Sequence, residues 1–319
     1  MIGVVGAGAF GTALAISLAR AGQSVTLWGR SPADMTTLAQ TRCNSRHLPG
    51  ISLPEGIRPT SDLEDLRAAD CVLLAIPMQS LRGFLDEHRA MLDGKALVAC
   101  CKGMDLATLK GPTALLTEAC PNAVAAILTG PSFAHDIARG LPTALTLACS
   151  DRAAEALQTR LSTGNLRLYR TDDCLGAEIG GALKNVVAIA AGVTIGAGLG
   201  DSARAALITR GYAEMVRLAV ACGARAETLG GLSGLGDLVL TCTSAQSRNF
   251  RYGLSIGQDQ AFDPHVTVEG AATSLAAVQL GAAMNVDLPL TQTVANLISG
   301  KSTLTVAISD LLSRPLKQE

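Results

Sequence analysis

A doubly wound, mainly parallel α/β sheet followed by an all-α region is the fold class this chain predicts, and three observations carry it. An apolar strand over residues 1–5 runs into Gly6-Ala7-Gly8-Ala9-Phe10-Gly11, which opens an Ala/Leu-rich helix over 12–20. Apolar runs then recur at 70–76, 96–100, 123–128 and 144–149, separated by helix-compatible or loop segments, the alternation of a parallel sheet. Past residue 175 the strand signal fades and helical patterns take over.

In the opening unit each glycine has a physical task. Gly6 permits the tight turn, Gly8 lets the backbone approach a pyrophosphate, Gly11 allows close helix–sheet packing, and the helix start supplies unpaired N–H donors. With a second strand over 24–28, this is the context a Rossmann-type dinucleotide site requires; a purely structural Gly-rich turn is the competing reading. At the end of that strand stands Arg30, where an acid would suit NAD. Its guanidinium suits the 2′-phosphate of NADP, so NADP is the expected cofactor and NAD a second one. The competing reading leaves Arg30 solvated and lets Asp34 help bind NAD.

Three later runs end in turns at the carboxyl edge of the sheet, where ligands bind in open α/β sheets. They are Ile76-Pro77-Met78, Lys102-Gly103 and Gly130-Pro131-Ser132-Phe133-Ala134, with Pro131 suited to a first helical turn; ordinary strand-to-helix turns, and for 76–78 plain packing, are the competing readings. Residues 166–169 add a last strand, and Thr171-Asp172-Asp173 reads as a cap and acidic first turn. Helical patterns cover 178–191, 203–222 and 273–284, broken by Gly-rich segments at 196–200 and 230–236. Two domains follow, a dinucleotide-binding domain over 1–175 and an α-helical substrate and catalytic domain over 176–319. No low-complexity linker separates them, so the expectation is that they pack directly and share a cleft.

Lys and Arg total 26 against 27 Asp and Glu, a formal charge of −1, so no global basic field argues for nucleic acid or an anionic membrane. Nine cysteines form no C-x-x-C, and the four histidines have no ligand spacing, so no metal is expected and most cysteines read as reduced core thiols. The first strand leaves no room for a signal peptide, which predicts a cytoplasmic enzyme. The most membrane-like stretch, 186–200, spans only 15 residues and reads as a buried helix running into a Gly-rich loop.

The helical half carries the candidate chemistry. Lys184 lies in a segment apolar enough to be buried, and desolvation pushes a lysine toward the neutral amine that proton transfer near neutral pH needs. A surface lysine on an amphipathic helix is the alternative. Asp237, between Gly236 and an apolar run, could orient Lys184 or a substrate hydroxyl, or serve as a helix N-cap. Ser247-Arg248-Asn249, with Arg251 beyond, clusters hydroxyl, guanidinium and amide donors suited to a phosphate; a solvated turn explains it nearly as well.

The glycine turn continuing through Thr12-Ala13-Leu14-Ala15, together with Gly130-Pro131-Ser132-Phe133-Ala134, Gly181-Ala182-Leu183-Lys184-Asn185-Val186, residues 205–211, Gly234-Leu235-Gly236-Asp237-Leu238 and residues 240–249, closely resembles bacterial NAD(P)-dependent glycerol-3-phosphate dehydrogenases. The resemblance spans almost the whole chain. It implies reversible reduction of dihydroxyacetone phosphate by NADPH or NADH to sn-glycerol 3-phosphate, the backbone precursor of glycerophospholipids. It also implies an α-helical C-terminal domain; with the charge balance and the short apolar stretch, the expected partners are a small-molecule substrate, without nucleic acid or membrane insertion, and a homodimer is left open. Carried over residue by residue, Lys184 is the catalytic acid/base. Lys102, Gly130, Ser132, Lys184, Asp237, Ser247, Arg248 and Asn249 match substrate-binding positions. Gly6, Gly8, Phe10, Gly11, Arg30, Lys102, Ala134, Arg248, Thr267 and Glu269 match cofactor positions. The chain departs from the pattern at Phe10 and His135, in a short stretch over 257–268, and after Gly270, where Glu269 is the least constrained transfer.

Two other readings compete. A β-hydroxyacid or sugar-acid dehydrogenase shares the domain order and a catalytic lysine, but that group has asparagine four residues after the lysine, where this chain has Ala188. A non-catalytic NADP-sensing protein would not need Lys184, Asp237 and the Ser-Arg-Asn turn.

Overall fold

The computed structural model describes residues 1–312, and the chain divides into two compact units. The first comprises Met1–Lys102 and Lys110–Glu178, the second Gly103–Leu109 and Ile179–Glu319. The first unit is built from β1 (Ile2–Val5), α1 (Ala9–Arg20), β2 (Val25–Trp28), α2 (Pro32–Thr41), β3 (Ile57–Thr60), β4 (Cys71–Leu74), α3 (Met78–Leu92), β5 (Ala96–Ala99), α4 (Pro112–Ala119), β6 (Val124–Thr129), α5 (Ala134–Arg139), β7 (Thr143–Ala148), α6 (Ala154–Leu161) and β8 (Leu166–Thr171). Its eight strands form one sheet in the order β3-β2-β1-β4-β5-β6-β7-β8. Strand order reverses at β1, which pairs in parallel with both β2 and β4, so a crevice opens at the carboxyl ends of β1 and β4.

Period-2 side-chain alternation explains why these short strands read as unbroken apolar runs. Ile2, Val4, Cys71, Leu73, Val98, Ala126 and Leu128 enter one core with α1, while Val5, Val72, Leu74, Leu97, Ala99 and Ile127 enter the other with α3 and α4.

The sheet is mainly parallel, as expected, with one exception at β6 and β7, which pair antiparallel with Leu128 opposite Leu147. Other expectations differ in detail. Strand β3 was not expected, because Pro59 within Ile57-Arg58-Pro59-Thr60 argues against a strand; β3 lies at the sheet edge, where a missing N–H costs no ladder bond. Helix α1 begins at Ala9 rather than 12, because Gly8 already supplies the extended cap residue. Pro131 precedes α5 instead of opening it, since Phe133 is the cap.

The helical region contains α7 (Cys174–Gly196), α8 (Gly200–Ala221), α9 (Ala226–Leu229), a π-helical turn at Leu232–Gly236, α10 (Asp237–Thr243), α11 (Arg248–Gly257), α12 (Glu269–Ala283), α13 (Pro289–Ile298) and α14 (Leu304–Leu312). Asp173 Oδ1 accepts the Gly176 N–H at 2.9 Å and starts α7 as a cap. The apolar stretch at 186–200 ends this helix of 23 residues at Gly196 and then runs into a Gly-rich turn, as expected, and the whole helix is long and apolar enough to cross a bilayer. Its setting identifies it as a core helix: 89% of its most apolar window is buried in protein.

Helices α7 and α11 meet backbone to backbone. A Cβ on Gly192 would collide with the Phe250 carbonyl, one on Gly253 with Ile189, one on Gly196 with Leu254 and one on Gly257 with Val193. The glycines at 192, 196, 253 and 257 therefore let α11 lie directly on α7. The Gly-rich segment at 230–236, expected as a break, does break the helices at Gly230 and extended Gly231, whereas 232–236 form the π-helical turn, in which a Cβ at Gly234 would overlap Leu229 backbone. In α8, Glu214 is buried and accepts N–H bonds from Leu290 (2.6 Å) and Thr291 (3.0 Å), capping α13 from another helix. Burial pushes its carboxyl upward in pKa while these bonds oppose the shift.

Candidate active site

In the first unit the glycine turn occupies the β1/β4 crevice. Gly6 has φ +108°, and a Cβ there would stand 2.5 Å from the Ala75 carbonyl oxygen at the end of β4. A Cβ on Gly11 would overlap the Gly6 carbonyl oxygen. Gly8 differs: no heavy atom lies within 4 Å of its Cβ position, although its φ of −73° would admit any residue. The first helical bond runs from Thr12 N–H to Gly8 O at 3.0 Å, so the preceding N–H groups have no intrahelical acceptor. Two glycines close the turn against protein and the middle one faces open space beside those donors. That cradle fits the diphosphate of a dinucleotide.

Phe10 is half-buried against the core beside α1, and Ala134, the first residue of α5, packs on the same core. Arg30 is exposed just beyond β2, followed by Ser31, whose hydroxyl caps α2 by accepting the Asp34 N–H at 3.2 Å. Two of the carboxyl-edge turns come together: Lys102 Nζ donates to the Gly130 carbonyl at 3.2 Å. Gly130, with φ +135°, turns the chain out of β6. The Ser132 hydroxyl lies 3.5 Å from the same carbonyl oxygen.

In the second unit Lys184, on α7, is 7% exposed, and Asp237, at the start of α10, is 1% exposed. Lys184 Nζ stands 3.0 Å from Asp237 Oδ1 and donates to Thr241 Oγ1 at 2.7 Å, while Thr241 Oγ1 donates to Asp237 Oδ1 at 3.2 Å. The carboxylate favours the ammonium that burial alone would discourage. The N-cap alternative for Asp237 does not hold, because Gly236 before it is already helical and makes no cap bond. A surface setting for Lys184 is likewise excluded by its burial. Beside the pair, burial drives the Cys242 thiol up to about 12, so it stays protonated.

Ser247 caps α11, its hydroxyl accepting the Phe250 N–H at 3.2 Å, and Arg248 begins that helix exposed to solvent. Asn249 is buried and already engaged: its Oδ1 accepts the Gly270 N–H at 2.9 Å and its Nδ2 donates to Asn185 Oδ1 at 2.9 Å. Arg251 turns back to the Ala245 carbonyl at 2.9 Å and braces the turn. Glu269 is half-buried at the first position of α12, and Thr267 is exposed.

The comparisons with known proteins agree at both ends of the chain. Residues 1–155 match the family described as NAD-dependent glycerol-3-phosphate dehydrogenase N-terminus, and residues 173–309 match its C-terminus. The chain belongs to this family. It is 61% identical to the glycerol-3-phosphate dehydrogenase [NAD(P)+] of Ruegeria sp. (strain TM1040) over 319 residues, covering 100% of this chain and 99% of the relative. The corresponding protein of Cereibacter sphaeroides is 62% identical over 320 residues, covering 100% of both. Among solved structures, the glycerol-3-phosphate dehydrogenase of Coxiella burnetii superposes with a TM-score of 0.93 at 35% identity, covering 98% of each chain. A D-mandelate dehydrogenase, at 14% identity and TM-score 0.64, shares the fold alone.

Within the family frame, sequence reasoning overlooked Thr241 and Asn44. Thr241 has a readable signal, since it lies four residues after Asp237 on one helix face. Asn44 has none, being in an aperiodic loop. It is buried and donates to the Ala7 carbonyl at 2.9 Å and to Thr12 Oγ1 at 2.8 Å, fixing the glycine turn from outside.

Proposed function

We propose that this chain catalyses the reversible NAD(P)H-dependent reduction of dihydroxyacetone phosphate to sn-glycerol 3-phosphate, supplying glycerophospholipid synthesis. Family membership supports the reaction, and the observation that carries the mechanism is the buried Lys184–Asp237–Thr241 cluster. A bound nicotinamide cofactor would supply the hydride that C2 of the substrate takes up. Lys184 donates a proton from Nζ to the carbonyl oxygen as charge develops there, and takes it back in the reverse direction. Asp237 holds Nζ in the ammonium form and Thr241 fixes its direction. Arg248 meets the substrate phosphate as an exposed guanidinium at a helix start, where the dipole also favours an anion. Ser247 and Asn249 hold that helix start in place while contributing their remaining hydrogen-bonding capacity to the substrate. Lys102, Gly130 and Ser132 form the corresponding polar edge of the first unit.

Gly6, Gly8 and Gly11 seat the dinucleotide, with Phe10, Ala134, Thr267 and Glu269 as further cofactor contacts. Arg30 favours NADPH, with NADH as a second cofactor. Near-zero net charge supports small-molecule partners over nucleic acid, in a cytoplasmic enzyme. The test is spectrophotometric: NADPH is consumed with dihydroxyacetone phosphate and not with glyceraldehyde 3-phosphate. Equal rates with both, or none with either, would overturn the substrate assignment.

A further inference from the structure

Beyond Arg30, a second guanidinium reaches the first turn of α2. The chain after α2 folds into a tight turn at 44–48, with Leu48 N–H and His47 N–H both donating to the Asn44 carbonyl, at 2.8 and 3.3 Å. Asn44 anchors this turn to the glycine turn through Ala7 and Thr12. Arg46, near its tip, is 75% exposed, and its guanidinium reaches 3.9 Å from Asp34 Oδ2, itself 66% exposed. Asp34 is the acid in the first turn of α2, directly after Arg30 and the Ser31 cap, on the side where the adenosine ribose lies in this fold.

We infer that Arg46 is a second specificity-determining residue for the adenosine 2′-phosphate, and that it acts in two ways. It offsets Asp34, an acid that would favour a ribose hydroxyl, and it offers a second guanidinium to the phosphate. At such exposure the pair with Asp34 is too weak to hold Arg46 away from a dianion. Asn44 is the positioning residue that keeps the turn against the cradle. The inference rests on the NADP reading of the site.

Calorimetric titration with adenosine 2′,5′-bisphosphate and with 5′-AMP tests it without turnover. The wild type is expected to bind the bisphosphate more tightly. Arg46→Ala should weaken the bisphosphate by about tenfold and leave 5′-AMP within twofold, and Asp34→Asn should tighten the bisphosphate several-fold at low salt. An Arg46→Ala variant that keeps wild-type affinity for the bisphosphate, or loses equally for both ligands, would overturn the role of Arg46 alone. A wild type that does not distinguish the two ligands would overturn the underlying NADP reading as well.

Discussion

Lys184 Nζ and Asp237 Oδ1 are 3.0 Å apart, and neither side chain is more than 9% exposed. Removing one partner of a buried ion pair leaves the other charge uncompensated, at about 3–5 kcal/mol. Asp237→Leu and Lys184→Met should each lose stability on that scale in urea unfolding. The double variant should regain most of it while remaining inactive. Single variants within 1 kcal/mol of wild type would show that the pair is not buried as described.

The three glycines of the dinucleotide turn predict separable effects. Gly8→Ala meets no atom within 4 Å, so its Tm should stay near wild type while NADPH affinity falls at least tenfold. Gly11→Ala would overlap the Gly6 carbonyl and should unfold at lower temperature. Retained NADPH affinity in Gly8→Ala, measured by fluorescence titration, would remove Gly8 from the cradle.

At the α7–α11 crossing, Gly253→Ala must push two helices apart and should cost about 1–3 kcal/mol or more. Gly83, exposed in α3 with nothing within 4 Å of its Cβ position, provides the contrast. Gly83→Ala should stabilise by about 0.5–1 kcal/mol through helix propensity. Denaturant midpoints measure both.

Burial raises the Glu178 carboxyl from an ordinary 4.5 to about 7, although its Oε1 accepts the Thr113 N–H at 2.5 Å. Between these two values the folded chain retains a proton that the unfolded chain has released. Stability should therefore fall as pH rises through that window, with a slope of up to about 1.4 kcal/mol per pH unit from this group. Above the window the full cost persists. Unfolding free energies of Glu178→Gln at pH 5 and pH 7 should differ less than those of wild type, and an unchanged difference would exclude Glu178 as the source.

What the sequence made legible follows from where each signal is stored. The glycine turn could be read because each glycine answers a local steric demand, and Lys184 could be read because an isolated lysine in an apolar helix is costly. Strand direction is not stored locally: β7 looks like any buried strand, and only its pairing reveals the antiparallel step. Pro59 concealed an edge strand. Of the glycines at 230–236, those at 230 and 231 mark a true break and Gly234 a tight helical contact, and composition does not separate the two because both demands favour the same residue. Asn44 and Arg46 were invisible because their roles depend on a turn folded back onto α1 and α2, which no periodicity encodes.

Proton donation by Lys184 is tested most directly by kcat for Lys184→Met, with NADPH affinity measured on the same protein. If the single variant is too unstable, its combination with Asp237→Leu serves. NADPH binding should stay within a few-fold of wild type while kcat falls by about 10²–10⁴-fold, the range that positioned proton transfer contributes. A kcat near wild type in a folded, NADPH-binding variant would contradict it.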